Sequence, residues 1–104
     1  MLIAIDYDGT FTADPRLWRM LVTLAQSLGH TVICVTGRVE PPDPKRGPAL
    51  PDGMRVICCG TEHKRKVAER HRLFVDVWID DMPEMIGESR ILNFATTPKA
   101  PKES

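Results

Sequence analysis

Leu2-Ile3-Ala4-Ile5-Asp6-Tyr7-Asp8-Gly9-Thr10 is the stretch on which the fold turns. Four apolar residues with no polar alternation suit a strand covered on both faces, as in a parallel sheet. The run stops at Asp6, and Gly9-Thr10 break the pattern. Asp14-Pro15 then supply an N-cap and a first helical residue. Leu17, Leu21, Leu24 and Leu28, with Trp18, Val22 and Ala25, predict a helix whose leucine stripe faces the core, closed by Gly29.

The same grammar repeats downstream. Thr31-Val32-Ile33-Cys34-Val35-Thr36 is a second buried-type strand, followed by Gly37 and Arg38. Arg55 to Cys59 predicts a third strand, Thr61 to Arg72 a charged helix, and Val75 to Asp80 a fourth strand. Pro83 to Glu88 predicts a short helix and Ile91-Leu92-Asn93-Phe94 a fifth strand. Strands alternating with helices imply an α/β fold built on a parallel sheet, with right-handed crossovers placing helices on both faces. Residues 40–53 hold five prolines and two glycines, which excludes a continuous helix and predicts a long loop that is mobile or functional. One domain over 1–95 with a frayed tail over 96–104 accounts for the 104 residues.

Fourteen basic residues balance fourteen acidic ones, so bulk charge gives no ground for nucleic-acid binding. Apolar runs of about five residues fall far short of the roughly 20 that span a bilayer, and the start of the chain lacks a basic segment before its apolar run. The expectation is a cytoplasmic protein without a membrane partner. Cys34, Cys58 and Cys59 show no zinc spacing and are expected to be reduced core thiols.

In parallel α/β sheets ligands sit beyond the carboxyl ends of the strands. Asp6, Thr36, Asp80 and Asp81 all close apolar runs at that end. Acids gathered there repel unless a cation joins them. Oxygen donors without Cys or His favour a hard ion, Mg²⁺ over zinc, and no cationic side chain is expected at the centre of the cluster. Thr36 beside the Gly37 backbone can hold an anion. Lys64 and Lys66 are both near the start of a helix, about 200° apart around it, so one phosphate can be faced by only one of them.

Together these motifs resemble the haloacid dehalogenase superfamily of phosphatases. Asp6, Asp8 and Thr10 match its Asp-x-Asp-x-Thr motif; Thr36 matches the second, Lys64 (or Lys66) the third, and Asp80-Asp81 the acidic pair. The resemblance covers residues 2 to about 94. It implies a Rossmann-like three-layer fold with a five-stranded sheet in the order 5-4-1-2-3. It also implies an Mg²⁺-dependent phosphomonoester hydrolase working through an aspartyl phosphate. Asp6 would be the nucleophile and Asp8 the general acid and base. Thr36, Gly37 and Lys64 would bind the phosphoryl group. Asp6, Asp80, Asp81 and the Asp8 backbone carbonyl would hold the metal. The chain departs from most relatives in leaving no room for a cap domain, either at Thr10 to Asp14 or at 59–63. An open site implies a large phosphorylated substrate, such as a nucleic-acid end or a protein, or a second copy covering it; Lys45 and Arg46 of the loop are placed to meet an anion. Two other readings compete. One is a catalytically idle phosphate- or metal-binding module on the same fold. The other is a receiver domain, disfavoured because the third strand ends in Cys58-Cys59-Gly60 where an acidic acceptor is needed.

Overall fold

A computed structural model describes residues 1–88. Four parallel strands, β1 (Leu2–Ile5), β2 (Thr31–Thr36), β3 (Val56–Cys58) and β4 (Val77–Ile79), form one sheet in the order β3-β2-β1-β4. The fifth strand expected at 91–94, and the tail, lie outside the described residues.

Alternation along the strands divides the core between the two faces of the sheet. Ile3, Ile5, Val32 and Cys34 face one way and pack with Phe11, Val22 and Ala25. Ala4, Ile33, Val35 and Ile57 face the other way, against Val67. Helix α1 (Pro15–Ser27) thus covers one face and α2 (Lys64–Arg70) the other, giving a helix–sheet–helix sandwich.

Helix α1 begins as its sequence dictates: Asp14 caps it, its carboxylate accepting from the Leu17 amide at 3.1 Å, and Pro15 follows. Gly29 takes φ +88° just past the end. The leucine stripe, however, does not face the core. Trp18, Val22 and Ala25 pack on the sheet, whereas Leu17, Leu24 and Leu28 are 50–67% exposed and Leu21 lies between. The two stripes are neighbours, about 100° apart at 100° per residue, so periodicity alone does not say which is inward.

Helix α2 is shorter than the predicted Thr61–Arg72. It starts at Lys64 and stops at Arg70, where the chain turns through Arg72 at φ +62°. The predicted helix from Pro83 is a single 3₁₀ turn, Pro83–Met85, ended by Gly87 at φ +91°. The third and fourth strands are also trimmed at both ends relative to expectation. No helix among the described residues is long and apolar enough to cross a membrane.

The proline-rich loop is tied down. Tyr7 donates to the Pro48 carbonyl at 2.7 Å, Arg19 donates twice to the Ala49 carbonyl, and Leu50 packs against the core. Tyr7 itself is buried, stacked 5.9 Å from Phe11.

Candidate metal and phosphate site

Register builds the site. Ile5 pairs with Ile79, so the next residues, Asp6 and Asp80, emerge side by side at the carboxyl ends of β1 and β4. The Asp6 amide donates to the Ile79 carbonyl at 2.9 Å, extending the ladder by one residue and fixing Asp6 at the strand tip.

Lys64, the first residue of α2, reaches in from the other side. Its Nζ donates to Asp6 Oδ1 and to Asp80 Oδ2, each at 2.7 Å, and only 4% of the residue is exposed. Burial works against its charge, but the two carboxylates outweigh burial and hold its pKa above the usual lysine range. Lys66 is exposed, so only Lys64 joins the acids. The expectation that no cationic side chain sits among the acids is overturned: a helix start facing strand tips brings its first side chain into their midst.

Thr10 is the hub that completes the turn. Its hydroxyl lies 3.3 Å from Asp6 Oδ2 and 3.1 Å from Asp81 Oδ1, and it accepts from the Asp81 amide at 3.1 Å. Gly9 makes the turn possible, with φ +82° and no side chain; a Cβ there would overlap the Asp81 carboxylate. The Met82 amide donates to Asp80 Oδ1 at 2.9 Å, leaving Asp80 bonded on both oxygens.

One carboxylate oxygen from each of Asp6, Asp80 and Asp81 falls within 4.8 Å of the others. Three carboxylates against one ammonium leave two negative charges when all are ionised. Burial pushes the Asp6 pKa up to about 6, with Lys64 opposing the rise and Asp81 and Asp80 adding smaller contributions to it. Asp81, at the exposed rim, is held below the usual carboxylate range by hydrogen bonding to Asp6 and to Thr10. An all-oxygen donor set with two uncompensated charges fits a hard divalent cation such as Mg²⁺.

Asp8 stands apart from this cluster. Its two oxygens are held by Arg38 Nε and Nη2, each at 2.8 Å, a bidentate pair that keeps its pKa below the usual range. Arg38 also lies 5.0 Å over the Tyr7 ring. The Asp8 side chain therefore faces Arg38 and not the three clustered acids. Thr36, fully buried at the end of β2, accepts from the Arg38 amide at 3.2 Å, and Gly37 follows it at the surface. The bridging roles of Thr10 and Arg38 are not legible in the sequence; the place of Thr10 within the first motif and of Arg38 beside Gly37 was the available signal.

The cysteines are unpaired; burial pushes the Cys34 thiol up to about 12 and that of Cys59 to about 11, as suits packing groups. Searches against family models, curated proteins and solved structures find no match to this chain.

Proposed function

We propose that this chain is an Mg²⁺-dependent phosphomonoester hydrolase of the haloacid dehalogenase-like kind. The observation that carries the proposal is the meeting of Asp6, Lys64, Asp80 and Asp81 at the carboxyl ends of adjacent strands. A half-buried cluster of this composition suits a nucleophile, an anion clamp and a cation seat together.

Asp6, fixed at the strand tip, attacks phosphorus while the bond to the leaving oxygen breaks, giving an aspartyl phosphate. Asp8 protonates the leaving oxygen and then takes a proton from the water that releases phosphate. With Arg38 paired to it, Asp8 is ionised, so the acid role requires Arg38 to turn away from it. Lys64, the Thr36 hydroxyl and the Gly37 amide hold the phosphoryl oxygens. Asp6, Asp80, Asp81 and the Asp8 carbonyl would seat Mg²⁺, which supplies charge neutralisation between the carboxylate and the phosphoryl group. The five-stranded order, the absence of a cap and a large phosphorylated substrate belong to the same proposal.

The second reading, an idle binding module, is favoured by one observation: Arg38 holds both Asp8 oxygens. A screen of aryl, sugar, nucleotide and oligonucleotide-end phosphates with Mg²⁺ or with chelator separates the two. The enzyme reading requires Mg²⁺-dependent phosphate release that Asp6→Asn abolishes. Binding of Mg²⁺ without release from any substrate would assign the idle module.

A further inference from the structure

Helix α1 carries two apolar stripes and the sheet uses only one. Leu17, Met20, Leu24 and Leu28 are 50%, 65%, 61% and 67% exposed. They fall within about 80° of arc on a face about 17 Å long. Four large apolar side chains exposed on one short helix make a contiguous patch that a soluble monomer rarely keeps. Their spacing of three, four and four residues is the seam of a helix pair.

We infer that this face is a homodimer interface, in which α1 packs antiparallel against α1 of a second copy across a two-fold axis near residues 22 and 23. Self-complementarity chooses the occupant. Reversal of the helix puts Leu17 against the partner's Leu28 and Met20 against the partner's Leu24, so every exposed apolar residue on the face has an apolar partner. Charge chooses the orientation. Residues 15–27 contain arginines and no acid. Arg19 is engaged by the Ala49 carbonyl, which leaves Arg16 as the exposed charge beside the seam. Antiparallel packing brings Arg16 to the carbonyl end of the partner helix, where a cation is favoured, whereas parallel packing sets it against its own copy. Leu17 also borders the groove that runs to Gly9, Thr10, Asp80 and Asp81, so the second copy ends at the rim of the acid cluster. The inference stands on the helix face and does not depend on the chemistry proposed for the acids.

One helix pair is at the small end of specific interfaces, which places the dissociation constant at roughly 10 µM. Sedimentation of the full chain from about 1 to 500 µM should show a monomer–dimer equilibrium bracketing that value. Leu24→Glu, at an exposed position, should keep the circular dichroism spectrum and weaken association more than 100-fold, because it buries a charge in the seam. In a Cys58→Ser background, Leu17→Cys and Leu28→Cys chains mixed and oxidised should cross-link to each other, and neither should cross-link to itself. A monomer throughout the range would overturn the inference, as would a dimer indifferent to Leu24→Glu. Self-linking of Leu28→Cys in place of mixed linking would overturn the antiparallel arrangement. A monomer in which a Leu24→Cys thiol is shielded from maleimide would assign the face to the chain's own terminal residues and overturn the second copy.

Discussion

Replacing Asp6 by Asn should stabilise the protein while destroying the proposed chemistry. Asp6 is 6% exposed, and burial dominates the forces on it, raising its carboxyl from 3.8 to about 6 despite Lys64. At 1.36 kcal/mol per pH unit, that rise corresponds to about 3 kcal/mol of cost for keeping the carboxylate ionised in the fold. The sign follows from proton binding. The folded protein holds a proton on Asp6 that the unfolded chain releases, so stability from this group is complete below about pH 4 and is lost as pH rises through about 6. Asn keeps an acceptor for Lys64 without the charge. In urea titrations with chelator, Asp6→Asn should therefore exceed wild type by about 2–3 kcal/mol at pH 8, an increase of about 10–20 °C in Tm. The difference should shrink towards zero near pH 4. A variant less stable than wild type at pH 8 would mean that Lys64 fully compensates the buried charge, and the reasoning about the site's electrostatics would be wrong.

Other perturbations separate the parts of the site. Lys64→Met leaves Asp6 and Asp80 without their shared partner and should cost about 3–5 kcal/mol in denaturant titrations at pH 8, whereas Lys66→Ala should stay within about 0.5 kcal/mol. Gly9→Ala forces a Cβ onto the Asp81 carboxylate at a left-handed φ and should cost about 1–3 kcal/mol; it should also reduce the Mg²⁺-induced rise in Tm expected of wild type, both read by thermal scans with and without chelator. Tyr7→Phe removes the hydroxyl that holds the Pro48 carbonyl; about 1 kcal/mol should be lost, with faster protease cleavage within 43–50 as the specific readout.

The strands were legible because apolar runs in a parallel sheet are continuous and their ends are marked by single polar residues. Asp6, Thr36 and Asp80 could be placed at one edge of the sheet from that rule alone. Of the two lysines that the sequence offered for the third motif, Lys64 is the one whose side chain reaches Asp6 and Asp80. What the chain did not disclose depends on contacts between residues far apart in sequence. The inward stripe of α1 is decided by the sheet it meets, not by the helix's own periodicity. The Arg38–Asp8 pair spans 30 residues and the Tyr7–Pro48 bond 41, so no local pattern announces either. The ammonium among the acids is of the same kind: Lys64 could be assigned to a phosphate, but its bridging of two carboxylates appears only once α2 is docked.

Acid quenching of the protein during turnover of an aryl phosphate, followed by peptide mass spectrometry, bears most directly on the proposed reaction. With Mg²⁺ present, a phosphoryl group should appear on the peptide containing Asp6, map to Asp6 on fragmentation, and vanish with chelator or in Asp6→Asn. Steady phosphate release with no phosphoryl group on Asp6, or with one on a different residue, would contradict attack by Asp6.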